Sequence, residues 1–153
     1  MKPILVIGSD HAGYRMKQFI IKNLKEKGYL VEDKGPFNED SVDAGIYAVA
    51  VGEDVAAHPA EKKGILICGT GIGMSMMANK VKGIRASLVS DLFSAEMTRA
   101  HNDANVLCMG ARVVAEPIAW EFTRVWLTTK HLGGKYSVRV QHMMDYETKR
   151  EEK

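Results

Sequence analysis

The chain is short of long apolar runs. No segment reaches the roughly 18–20 consecutive apolar residues of a membrane span. The N-terminal MKPILVIGSDHAGY holds an apolar run of about six residues, below the roughly 7–15 of a secretory leader. A cytoplasmic location, with no membrane partner, is the expectation that follows. Cysteine is also scarce, at two residues among 153, Cys68 and Cys108. That excludes a disulfide scaffold, and in a reducing compartment each is a free thiol, either core filler or a reactive group. No CxxC, HxH or HxxxH pairing occurs, so no metal site is expected. Charge of one sign is not in excess: 21 basic against 19 acidic side chains leave a net +2. Such balance argues against nucleic acid or an anionic surface as partner. The sequence lacks GxxxxGK(S/T), which removes a Walker-type phosphate loop. The dinucleotide pattern GxGxxG would need glycine where Met74 stands, and it normally follows the first strand rather than the third. No cofactor is expected.

What is present is a core-forming composition, 46% hydrophobic, in a length that fits one domain over residues 1–153. Strand-like and helix-like segments alternate. Pro3–Gly8, Tyr29–Asp33, Gly64–Cys68, Arg85–Ser90 and Val106–Met109 read as strands. Gly13–Lys27, Val42–Ala57, Met74–Lys80, a stretch near Ser94–Ala100 and Pro117–Lys130 read as helices, the first ended by Gly28. Apolar runs without alternation fit a parallel sheet covered on both faces. The expected fold is therefore α/β, a doubly wound three-layer Rossmann-like domain with about five parallel strands. After Gly133-Gly134, residues 135–153 form a polar stretch with a loose apolar stripe (Val138, Val140, Met143, Met144, Tyr146). It reads as an extra C-terminal helix, docked either on its own domain or on a partner subunit.

Open α/β sheets bind ligands at the carboxyl ends of their strands. The first strand runs into Ser9-Asp10-His11, the third into Cys68-Gly69-Thr70-Gly71-Ile72-Gly73-Met74-Ser75, and the fifth into Gly110-Ala111-Arg112. The segment before the fifth strand adds Arg99, His101 and Asn102. This reading gathers carboxylate, thiol, hydroxyl, guanidinium and two imidazoles into one convergence. Glycines let backbone approach a ligand, and a following helix presents N–H groups, so the turn suits a phosphate or a developing oxyanion. Read alone, it is equally a tight strand–helix turn. A thiol placed directly before such a helix is in surroundings that favour a thiolate, whereas Cys108 inside VLCM reads as core. His58, His131 and His142 read as exposed loop or helix residues.

GSDHAG (8–13), ICGTGIGMS (67–75) with ANK (78–80), SAEMTRAHNDANV (94–106), GARV (110–113) and GGKYSVRV (133–140) occur together and in order. In this combination the chain resembles type B ribose-5-phosphate isomerase, grouped with galactose-6-phosphate isomerase. The resemblance implies a metal-free aldose–ketose isomerase of a phosphorylated sugar, by default ribose 5-phosphate, acting as a homodimer or tetramer with shared active sites. It implies Cys68 as the base moving a proton between C1 and C2, and His101 as the acid that helps open the ring. Asp10 and Thr70 would hold sugar hydroxyls, and the turn Gly69, Gly71, Ile72, Gly73 with Ser75 would cradle the enediolate. His11, Arg112 and Arg139 would hold the phosphate, with Lys135 near it and Asn102 on the sugar. Some relatives carry a glutamate base where Met74 stands, which leaves Cys68 as the base of the motif. Two positions depart from the family pattern: Asp-Tyr-Pro reads Asp43-Ala44-Gly45, and Gly-Gly-Arg-His reads Gly133-Gly134-Lys135-Tyr136. Lysine loses arginine's bidentate geometry. These substitutions raise a competing expectation, the same chemistry on a tetrose, another pentose, or a hexose 6-phosphate such as galactose or allose 6-phosphate.

Overall fold

A computed structural model describes residues 1–151, so the last two residues of the tail lie outside the described residues. Five strands form one parallel sheet: β1 (Ile4–Ser9), β2 (Val31–Asp33), β3 (Lys62–Cys68), β4 (Ala86–Leu88) and β5 (Val106–Gly110). Their order is β2-β1-β3-β5-β4. Six helices accompany them: α1 (Tyr14–Glu26), α2 (Ala44–Ala57), α3 (Ile72–Ala78), α4 (Leu92–Ala100), α5 (Glu116–Thr128) and α6 (Lys135–Glu151). The expected doubly wound α/β fold is what the chain adopts.

Strand pleat sorts the core into two layers, because successive side chains point to opposite faces. Leu5, Ile7, Ile65, Ile67, Leu107 and Met109 face the α1/α5 side, where Ile20, Leu24, Phe122 and the fully buried Trp126 meet them. Val6, Leu66, Cys68, Val106 and Cys108 face the α2/α3 side, against Val51, Val55, Met74 and Ala78. Runs of apolar residues in the strands are thus accounted for: both faces are covered.

Several boundaries differ from the sequence expectation, β4 for example being only Ala86–Leu88, and three of them bear on the site. β2 is only Val31–Asp33, since Tyr29 is engaged in closing α1 through its N–H on the Leu24 carbonyl at 3.0 Å. α2 begins at Ala44 with Asp43 as its cap, the side chain accepting from the Gly45 N–H at 2.8 Å. α3 begins at Ile72 rather than Met74. Gly73 is a poor helix former, yet nothing crowds it and the helix runs through it.

The tail is helical. α6 meets the body near both ends: the Tyr136 ring stacks on His101 and the Ser137 hydroxyl bonds His131 at its start, while further along the Glu147 carboxylate accepts from the Gly83 N–H at 2.9 Å and Met144 Sδ meets the Arg85 guanidinium at 3.5 Å. Val138, Met143 and Tyr146 remain exposed.

Candidate active site

The chain leaves β1 toward β2 on one side and later enters β3 on the other. A crevice between the carboxyl ends of β1 and β3 follows from that reversal, and such crevices are the usual ligand sites of this architecture. The Asp10 N–H donates to the Ile67 carbonyl at 3.0 Å, joining the two strand ends. The Asp10 carboxylate accepts from the Gly13 N–H at 2.9 Å. His11 Nδ1 accepts from the Val42 N–H at 3.3 Å.

Across the crevice, Cys68 ends β3 with its side chain nearly buried. The Gly71 N–H donates to its Sγ at 3.0 Å. Gly71 has φ +78°, a left-handed conformation, and a Cβ there would stand 2.6 Å from Leu88 and 2.8 Å from the Met109 backbone. Only glycine turns its N–H back on the thiol at this point without strain. Thr70 is exposed, its hydroxyl oxygen accepting from the Ile72 N–H at 3.3 Å. Ser75 donates to the Ile72 carbonyl at 2.8 Å and so stays within the turn. From β5, the Arg112 N–H reaches the Gly69 carbonyl at 2.9 Å, and its guanidinium lies over Gly69. This close passage needs Gly110, whose Cβ would meet the Thr70 carbonyl group at 2.6 Å. One crevice thus holds a thiol with an N–H donor, a carboxylate, an imidazole, a hydroxyl and a guanidinium. Met74 contributes nothing to it, being fully buried in the α2/α3 core layer.

The second imidazole is elsewhere, and the single convergence expected from sequence is divided. α4 runs antiparallel to the strands, so its C-terminal cap, His101, sits at the amino edge of the sheet. The Asn105 carbonyl there accepts from the Gly64 N–H, and Gly64 pairs with Val106 while Cys68 pairs with Gly110. Four strand residues at ~3.3 Å each separate the two groups by roughly 13 Å along β3. Lys135 and Arg139 stand with His101. The His101 ring stacks on Tyr136 at 4.1 Å and 4°, with Lys135 Nζ 5.2 Å and Arg139 Cζ 5.7 Å from the Tyr136 ring centre. Asn102, exposed, lines a cleft of about 370 Å³ with Ser87 and Met143. A larger cleft of about 510 Å³ opens between α3 and α6; neither includes Cys68.

His131 departs from the expected exposed loop. It is half-buried, Nδ1 donating to the Ala100 carbonyl at 3.0 Å and Nε2 accepting from the Ser137 hydroxyl at 3.1 Å. It thereby pins the Gly133-Gly134 turn to the end of α4. Cys108 is fully enclosed, and burial pushes its thiol far above the ordinary range, with Cys68 adding to the effect. Two residues escape a reading of the sequence. Tyr136 registers there only as a departure, and nothing in its spacing announces the stack on His101. Lys17 has a signal: it shares the buried α1 stripe with Ile20, Ile21 and Leu24, where a lysine is out of place. Among the described residues no group of three or more His, Cys, Asp or Glu side chains stands together as a metal site.

Residues 5–143 match the sequence model of the family described as Ribose/Galactose Isomerase. Ribose-5-phosphate isomerase B of Escherichia coli (strain K12) is 40% identical over 146 residues, covering 95% of this chain and 97% of that protein. Among solved structures, Clostridium thermocellum ribose-5-phosphate isomerase B superposes with a TM-score of 0.93 at 42% identity, covering 98% of this chain and 99% of that one. Ribose-5-phosphate isomerase B from Mycoplasma genitalium, with bound ribulose-5-phosphate, gives a TM-score of 0.93 at 36% identity, covering 97% and 98%.

Proposed function

The chain belongs to the ribose/galactose isomerase family, and on that premise we propose that it interconverts ribose 5-phosphate and ribulose 5-phosphate with Cys68 as base. The observation that carries this reading is the Gly71 N–H donating to Cys68 Sγ at 3.0 Å in the β1/β3 crevice. That hydrogen bond fixes the sulfur at the turn between β3 and α3. The thiolate takes the C2 proton of the open-chain aldose, and the electron pair moves into an enediolate whose oxygens bear the charge. The first-turn N–H groups of α3 have no partner within the helix and can donate to that oxyanion. The O2 hydroxyl proton passes to O1, and the thiol returns its proton to C1, giving the ketose with no net change of protons. Asp10 and Thr70 hold sugar hydroxyls. His11 and Arg112 hold the phosphate, whose binding energy orients the reacting carbons.

His101 opens the ring, and Asn102, Lys135 and Arg139 complete the pocket from a second copy of the chain. The separation of the two clusters along one sheet supports this assembly, since one chain cannot bring both to a single sugar. Each copy is read as one domain over its described residues, 1–151.

A second reading keeps the chemistry and changes the sugar. Ala44, at the start of α2, replaces a bulky tyrosine, and Lys135 replaces an arginine. Turnover of tetrose, pentose and hexose phosphates by wild type and Ala44→Tyr separates the two. The first reading expects ribose 5-phosphate to be the best substrate by far; a better hexose or tetrose phosphate establishes the second. Cys68→Ala tests the base: turnover lost with sugar-phosphate binding retained supports it, and unchanged turnover removes Cys68 from the role.

A further inference from the structure

Lys17 is the one fully buried lysine of the chain's described residues, and the proton transfer above makes no use of it. Its ammonium donates to Asp33 Oδ1 and to the Pro36 carbonyl, both at 2.6 Å. The Tyr14 and Phe37 rings lie 5.5 and 5.4 Å away. Burial lowers its pKa, while the Asp33 carboxylate beside it works to keep the ammonium charged. An unpaired charge in such a place is strongly destabilising, so the partners are held tightly.

Those partners belong to the segment that leaves β2. Asp33 Oδ1 also accepts from the Gly35 N–H at 2.9 Å. The Lys34 N–H donates to the Ile7 carbonyl at 2.8 Å, and the Gly35 carbonyl accepts from the Ser9 N–H at 3.0 Å. The segment is thus pressed against the end of β1. It continues through the exposed residues 37–41, tied by the Arg15–Glu39 ion pair, to Val42. The Val42 N–H is the group that donates to His11 Nδ1. A backbone N–H can donate only to an unprotonated ring nitrogen, so the neutral imidazole carries its proton on Nε2.

We propose that Lys17 is a positioning residue: it clamps the 33–42 segment so that the Val42 N–H fixes His11 as an Nε2–H donor to the substrate's phosphate. The proposal rests on the reading of His11 as a phosphate ligand. It adds a reason for the buried cation, which touches no ligand itself. Phosphate oxygens mainly accept at neutral pH, so a His11 locked as an Nε2 donor is pre-organised for them, and a rotated or tautomerised ring is not.

The test uses nitrogen-15 spectra of His11 in the full chain, with inorganic phosphate as the probe. Wild type is expected to show a bare Nδ1 coupled across the hydrogen bond to the Val42 N–H, and a protonated Nε2. A wild-type Nδ1–H overturns the proposal. In Lys17→Met the tautomers are expected to mix, with phosphate Kd and sugar-phosphate KM each rising about tenfold and kcat changing less than about threefold. A folded Lys17→Met with only a lowered Tm, unchanged tautomer and unchanged phosphate Kd overturns the proposal. Asp33→Asn weakens the same clamp without emptying the lysine site and is expected to move phosphate Kd the same way. No change in a folded Asp33→Asn counts against the clamp. These spectra and the phosphate titration need no turnover. Failure of the isomerase reading would therefore appear as inactive wild type, separately from the outcome for Lys17.

Discussion

Cys68 and Cys108 lie on the same face of adjacent strands, and their surroundings give two thiols opposite chemistry. Cys68 has a donor at its sulfur and an edge on the crevice; Cys108 is sealed in apolar side chains, with burial disfavouring its ionisation. Alkylation of the native protein is expected to modify Cys68 alone, slowed by sugar phosphate, with peptide mass spectrometry as the readout. Modification of Cys108 in folded protein would contradict the assignment. Asp54 gives a pH-dependent counterpart. Its partial burial opposes ionisation, but Lys34 at 2.7 Å and Lys62 at 2.9 Å outweigh that and hold its carboxyl well below the usual carboxylate range. Stabilisation from a depressed carboxyl is fully present above the unfolded value of about 3.9 and is lost as pH falls through the folded one. Asp54→Asn is expected to cost about 1 kcal/mol near pH 7, the difference shrinking from pH 4 to pH 2. Urea titrations at several pH values check it, and a deficit constant with pH would refute it.

At the scale of elements, the turn between β3 and α3 is tightly determined. Gly71→Ala would force a left-handed alanine into Leu88 and the Met109 backbone. The expected cost is about 2 kcal/mol or more, with kcat falling because the N–H leaves the sulfur. Denaturation midpoints and initial rates measure the two effects, and a variant with wild-type kcat would show the Gly71 donor to be dispensable. This turn is legible in the sequence, because its glycines follow an apolar strand and carry family motifs. The strands are legible as well, their unbroken apolar runs matching two covered faces. The start of α3 at Ile72 is not, since Gly73 argues locally against helix and only packing overrides it. Lys17 is half legible: its place on an apolar stripe marks it as unusual, but its partners Asp33 and Pro36 lie 16 and 19 residues away. The position of His101 follows from helix direction, which motif order alone does not express.

At the scale of the whole molecule, the two clusters at opposite edges of the sheet make a shared site testable without a structure of the complex. Cys68→Ala and His101→Ala chains are each expected to be nearly inactive. Mixed one to one under subunit exchange, they should regain about a quarter of wild-type activity, because half of the dimers are hybrids and each hybrid has one native site. Continued inactivity of a mixture shown by mass spectrometry to contain hybrids would place both groups in one chain's site.

The exposed face of α6 has a kinetic consequence on this two-copy reading. A helix carrying Arg139, tied to its own body through Tyr136, Ser137, Met144 and Glu147, still has the exposed Val138, Met143 and Tyr146 to settle against the neighbouring chain. The lone chain then holds a base at one edge and an acid at the other, and no sugar bridges them. Specific activity becomes a function of protein concentration. An assay diluted below the dimer's dissociation constant loses rate as copies part, and reconcentration restores it with a second-order lag. The cell's level of the chain then sets not only how much enzyme is present but what fraction of it works.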